Sequence, residues 1–102
     1  MPQFPPTSPA ILLDETRPYF LWWTPLTVAD LRAILANKEH AERSYYLGAM
    51  LREANTRDVM HFATANELRA AWPEVARFLG RARPMWEFLL ALGPYANEHP
   101  DV

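Results

Sequence analysis

Two stretches of this chain carry the same helix-start signature, and they constrain the fold more than any other feature. In Thr27-Val28-Ala29-Asp30 the threonine can accept from the amide of Asp30 while the aspartate reaches back to the threonine amide. Thr64-Ala65-Asn66-Glu67 repeats the arrangement with a glutamate. Leu26 and Leu31 can close the first start as a hydrophobic staple, and Leu68 stands at the fourth helical position of the second. Such pairs satisfy amides that only a helix leaves orphaned, so each one argues for a helix and against a strand.

The apolar spacing fills in the rest. The first helix is expected from the Thr27 cap to about Asn37, with Leu31, Ile34 and Leu35 inward. A second is expected from Lys38 to about Ala54, with Ser44, Leu47, Gly48 and Leu51 on one stripe. Gly48 costs up to about 1 kcal/mol in a helix interior. Its reading is a place where another helix or an aromatic ring comes close. Asn55-Thr56-Arg57-Asp58 breaks the pattern, and Val59-Met60-His61-Phe62 reads as one buried turn. The helix after Thr64 carries Leu68, Ala71 and Trp72. Pro73 lacks a donor, so a new short helix is expected to begin there, hold Val75, Phe78 and Leu79, and end at Gly80 as a left-handed cap. A last helix is expected between Pro84 and Gly93-Pro94. It has two apolar stripes: Met85, Phe88, Leu89 and Leu92 on one, Trp86 and Leu90 on the other. Such a helix is either central to the core or half-covered by a partner.

Six of the ten prolines fall in the first 25 residues. Met1–Pro9 therefore reads as a polyproline-like arm, and residues 1–16 as a flexible Pro-rich extension. Tyr19-Phe20-Leu21-Trp22-Trp23 is aromatic, bounded by proline and too short for a helix, so an extended strap across the bundle is expected. In an extended chain Tyr19, Leu21 and Trp23 face one way, and Phe20 and Trp22 the other. Both faces are apolar, so part of the strap should stay near the surface. No other segment reads as a strand. The expectation is an all-α fold: a small bundle of about four to five short helices, an extended N-terminal arm, a single helical domain over 17–94, and a frayed tail over 95–102.

At 102 residues the chain can bury roughly 65% of its unfolded surface, enough for one core without staples. It has no cysteine, which excludes disulfides, thiol catalysis and thiolate metal sites. His40, His61 and His99 lack metal-ligand spacing, Glu67 and Glu74 make no convincing carboxylate pair, and neither Ser8 nor Ser44 lies in a nucleophile-type turn. Gly48, Gly80 and Gly93 are isolated and form no phosphate loop. The chain is therefore read as no enzyme, with no cofactor and no metal. No apolar run reaches the roughly 20 residues that span a bilayer, and the start lacks the basic and apolar regions of a signal peptide. A cytoplasmic location is expected.

Charge is uneven. Residues 43–94 carry a net +2 and the remainder −4. Nine of the ten basic residues are arginine. Arg77, Arg81 and Arg83 cluster before Pro84, at the start of the last helix. That corner reads either as an anion or nucleic-acid contact or as a solvated turn paired with Glu74 and Glu87.

A family resemblance rests on a set of motifs. They are Pro18-Tyr19-Phe20-Leu21-Trp22, Leu26-Thr27-x-x-x-Leu31-Arg32, and Tyr46-Leu47-Gly48-x-x-Leu51-Arg52-Glu53-Ala54. Asp58-Val59, Phe62-x-Thr64, Leu68-x-x-x-Trp72-Pro73 and Trp86-Glu87-Phe88-Leu89-Leu90 continue it. Over residues 18 to 92 the chain resembles small bacterial helical proteins of uncharacterised biochemistry, often encoded beside nucleotidyltransferase-like toxins of the abortive-infection type. Those relatives tend to carry an acid directly after the first tryptophan. Trp23 stands there, so no role of that acid carries over. The resemblance implies a non-catalytic protein-binding module, such as an antitoxin or accessory subunit, with self-association as a further option. Tyr19, Phe20, Trp22, Trp23, Trp86 and Leu90 are the candidate partner-binding residues. A small nucleic-acid-binding regulator using Arg77, Arg81 and Arg83 is the alternative, and an uncharacterised structural domain is a third.

Overall fold

The computed structural model describes residues 5–91. They form an all-α fold. Its α-helices are α1 (Val28–Ala36), α2 (Arg43–Glu53), α3 (Thr56–Val59), α4 (Ala65–Val75) and α5 (Arg83–Leu89). Four 3₁₀ turns join them, at Pro9–Leu12, Tyr19–Leu21, Ala76–Phe78 and Gly80–Ala82.

Both capping boxes form. Thr27 and Asp30 exchange hydrogen bonds at the start of α1, and Thr64 and Glu67 do so at the start of α4. α2 starts five residues later than the spacing predicts. Between Asn37 and Arg43 the side chains offer the backbone other acceptors: Asn37 Oδ1 takes the Glu39 amide at 3.0 Å and His40 Nδ1 the Glu42 amide at 3.0 Å. Local bonds of this kind compete with helix and hold the segment in two turns.

α2 is the centre of the bundle. Leu47, Gly48, Ala49, Met50 and Leu51 are all buried on it. They meet Phe20, Leu21, Leu31, Val59, Leu68, Val75, Leu79 and Trp86 in one continuous core. Gly48 has the use read from the sequence: a Cβ built there would fall 2.6 Å from the Phe78 Cβ and 3.3 Å from its ring atoms. Gly80 also behaves as expected, with φ +54.

Three differences from the sequence reading have plain causes. α4 runs through Pro73 to Val75 instead of restarting there. Pro73 costs α4 the bond its amide would have given to the carbonyl four residues back, and continuing the helix still buries Val75 before the chain tightens into the Ala76–Phe78 turn. α3 occupies part of the stretch read as a break, capped by Asn55, whose side chain accepts the Arg57 amide at 3.1 Å. α5 starts at Arg83 and ends at Leu89, and Ala91 reverses the chain with φ +56. Leu92, Gly93-Pro94, His99 and the tail over 95–102 lie outside the described residues, as does the start of the arm over 1–4.

The described part of the N-terminal segment makes hydrogen bonds to the bundle. The carbonyls of Asp14 and Thr16 accept the first two amides of α1, Ala29 at 3.0 Å and Val28 at 2.7 Å. These are orphan donors at a helix start, and the segment supplies their partners. Ser8 caps the first 3₁₀ turn, which buries Ile11.

Candidate functional site

The aromatic segment after Pro18 folds as a tight turn instead of an extended strap. The Leu21 amide bonds the Pro18 carbonyl at 3.0 Å, the Thr24 amide bonds the Leu21 carbonyl at 3.1 Å, and the Arg17 guanidinium reaches the Thr24 carbonyl at 3.3 Å. A 3₁₀ turn advances three residues per revolution, so consecutive side chains do not alternate between two faces. Phe20 and Leu21 therefore both enter the core. Tyr19 and Trp22 stay outside, 46% and 69% exposed. Trp23 is half-buried, edge-on to Trp22 with ring centres 5.1 Å apart. The Arg52 guanidinium lies 5.8 Å from the centre of the Trp23 ring.

Beneath this corner sits Asp58, the one buried charged side chain among the described residues. Thr7 donates to it twice, from its amide to Oδ1 at 2.7 Å and from its hydroxyl to Oδ2 at 2.6 Å. Tyr19 donates its hydroxyl to Oδ2 at 2.6 Å and accepts the Asn55 amide at 2.7 Å. Burial pushes the Asp58 carboxyl up, but the Thr7 and Tyr19 hydrogen bonds and the nearby Arg57 charge outweigh it, leaving the acid below its ordinary value. Burial, and then the hydrogen bond to Asp58, hold the Tyr19 phenol above its ordinary value. The sequence reading missed Thr7, Asn55 and Asp58. The Asn55-x-x-Asp58 spacing is a helix-start signal for α3. Nothing local shows that Asp58 is buried, since its donors come from 51 and 39 residues away.

The six candidate partner-binding residues separate into two groups. Tyr19, Trp22 and Trp23 form the corner. Phe20, Trp86 and Leu90 are buried in the core cluster. The reason at α5 is chemical. Trp86 Nε1 donates to the Leu51 carbonyl at 2.8 Å, so the indole turns inward and takes Leu90 with it. The other stripe is left outside, with Phe88 80% exposed beside Met85 and Leu89.

The arginine corner is largely occupied by its own segment. Arg77 lies over the neighbouring Phe78 ring at 4.7 Å, and Arg83 pairs with Glu87 at 3.4 Å, one turn along α5. Arg81 is exposed on the Gly80–Ala82 turn. Elsewhere arginine has a structural use. Arg43, Arg52 and Arg69 donate to the carbonyls of Leu35, Phe78 and Leu90 at 2.9, 2.9 and 3.0 Å, near the ends of helical segments.

A cleft of about 490 Å³ between the start of α2 and α4 is lined by Lys38, Arg43, Ser44, Asn66, Glu67 and Glu74. Its charges are of both signs. Glu67 is held below its ordinary value, first by the Thr64 amide and then by the Thr64 hydroxyl. Among the described residues no group of three or more histidines and carboxylates could hold a metal ion, and no helix is long and apolar enough to cross a membrane.

No protein-family model, no curated protein and no solved structure matches this chain.

Proposed function

We propose that this protein is a non-catalytic recognition module whose partner, another protein, docks on the corner formed by Tyr19, Trp22 and Trp23. The observation that carries this reading is Trp22: a large apolar side chain, 69% exposed, on a turn whose backbone is closed at both ends. Interface energy concentrates in Trp, Tyr and Arg side chains, and anchors already held in place lose little entropy on binding. Trp22 rests against Trp23, while Arg17 bonds the Thr24 carbonyl and Arg52 bonds the Phe78 carbonyl and pairs with Glu53 at 2.7 Å, so both arginines brace the corner from within the chain.

The family resemblance supplies the class of partner. A nucleotidyltransferase-like toxin in the cytoplasm, with this chain as antitoxin or accessory subunit, accounts for a small domain with an aromatic anchor and no evident chemistry of its own. Inhibition would then work by occlusion: Trp22 fills an apolar pocket near the toxin's site, with Trp23 and Tyr19 packed around the rim of the contact. Phosphate recognition by Arg77, Arg81 and Arg83 draws less support, because two of the three are engaged within their own segment.

Co-purification with the nucleotidyltransferase-like product of a neighbouring gene tests the reading. Trp22→Ser should weaken the complex at least about tenfold while leaving the fold intact. Absence of any complex at micromolar concentration, with correctly folded partners, removes it.

A further inference from the structure

We infer that docking of the N-terminal segment onto Asp58 sets the geometry of the Trp22 corner, through a Thr7–Asp58–Tyr19 relay. The inference concerns the corner's conformation and stands whatever the class of partner.

The relay follows from which donors the buried carboxylate has. Oδ1 receives the Thr7 amide, and Oδ2 receives the hydroxyls of Thr7 and Tyr19. Two of the three donors therefore belong to one residue, and that residue sits in a segment whose sequence near it is Pro5-Pro6-Thr7-Ser8-Pro9. Proline removes backbone donors on either side, so the segment's grip on this part of the bundle rests heavily on Thr7 and on buried Ile11.

When Thr7 leaves, a fully buried carboxylate keeps a single donor. That state is costly unless water enters or the side chain swings outward. Either response draws on Tyr19, the remaining donor. Tyr19 in turn accepts the Asn55 amide at the cap of α3, and it opens the 3₁₀ turn that ends beside Trp22. The two states are thus defined by contacts. With the segment docked, Asp58 is satisfied, Tyr19 is fixed at both faces of its hydroxyl, and Trp22 is presented on a rigid turn. With it undocked, the Tyr19 bond loosens and the corner loosens with it. Linkage makes the effect reciprocal: a partner that grips the corner in its docked geometry tightens the segment, and anything that captures the segment weakens the corner.

The test needs no partner. The full chain is labelled with 5-fluorotryptophan, which gives a separate ¹⁹F signal for each indole, and amide exchange is followed at Asn55. Thr7→Val removes the hydroxyl and keeps the β-branch. Asp58→Asn removes the charged acceptor. Ser8→Ala, which loses only the cap of the first 3₁₀ turn, is the control. Thr7→Val should speed Asn55 exchange by about tenfold, on the order expected for losing one supporting hydrogen bond. It should also shift or broaden the Trp22 signal, while leaving Trp72 on α4 unmoved. Asp58→Asn should do the same more strongly. If Asp58→Asn fails to fold, Thr7→Val decides alone. Unchanged Asn55 exchange and an unchanged Trp22 signal in Thr7→Val overturn the relay. So does a change that spreads equally to Trp72, or one that Ser8→Ala reproduces.

Discussion

Replacing Gly48 with alanine sets two opposing contributions against each other, and the structure decides which wins. In an unconstrained helix interior the change would stabilise by up to about 1 kcal/mol, because alanine loses less backbone entropy. Here the new methyl would lie 2.6 Å from the Phe78 Cβ. That atom is not the loose end of a side chain. It moves only with the backbone of the Ala76–Phe78 turn, which packs on α2. The ring atoms at 3.3 Å close off sliding sideways. Overpacking of this sort costs about 1–3 kcal/mol, and a β-carbon clash belongs in the upper part of that range. The net expectation is a loss of about 1–2 kcal/mol, or roughly 5–15 °C in Tm for a domain of this size. Urea denaturation followed by circular dichroism measures it. A second variant locates the cause. Phe78→Ala keeps the offending Cβ and should not relieve the Gly48→Ala penalty, whereas Phe78→Gly removes it and should relieve much of the steric part in a double-mutant cycle. A Gly48→Ala protein as stable as the parent, or more stable, would refute the close-approach argument.

The remaining expectations concern titration, the corner and the two left-handed positions. Asp58 is held below its ordinary value of 3.8, so its contribution is present above that pH and is lost as pH falls through the folded value. Tyr19 is held above 10.0, so its contribution is present below that pH and is lost as pH rises past it. The groups facing this pair are Thr7, Asn55 and Arg57, and Glu67 adds a separate carboxylate of the same sign elsewhere. Asp58→Asn should therefore cost about 2–3 kcal/mol at neutral pH and flatten, without abolishing, the loss of stability as pH falls below 3.8. An acid limb of unaltered steepness in urea midpoints would count against it. Trp22→Ser should cost under about 1 kcal/mol and Phe20→Ala roughly 3–5 kcal/mol, although the two are neighbouring aromatics in one turn; equal thermal shifts would contradict the 3₁₀ geometry. Gly80 has φ +54 with nothing within 4 Å of a built Cβ, so Gly80→Ala should cost about 1 kcal/mol from backbone strain alone. Ala91→Gly, at φ +56, should gain a similar amount, and a melt that moves the other way would refute the assignment.

What was legible in the chain was local. Thr27 with Asp30, Thr64 with Glu67, and Gly80 at a left-handed turn each act within one helical turn of themselves, so their chemistry is complete in a few consecutive residues. Gly48 was half legible: its place in a helix showed that something must come close, and the fold supplied Phe78. The rest depended on which distant groups met. α5 has two apolar stripes, and its own sequence does not say which one faces inward. The Leu51 carbonyl, 35 residues away, decides it by accepting the Trp86 indole N–H. Tyr19–Trp23 is equally apolar as a strand or a turn, and the 3₁₀ turn is settled by the core taking Phe20 and Leu21 side by side while Asp58 and Asn55 hold the Tyr19 hydroxyl. Asp58 reads as one more surface acid in a polar stretch. Only tertiary structure brings Thr7 and Tyr19 to it, because a buried charge is tolerable solely where donors from elsewhere in the chain replace the water it gives up.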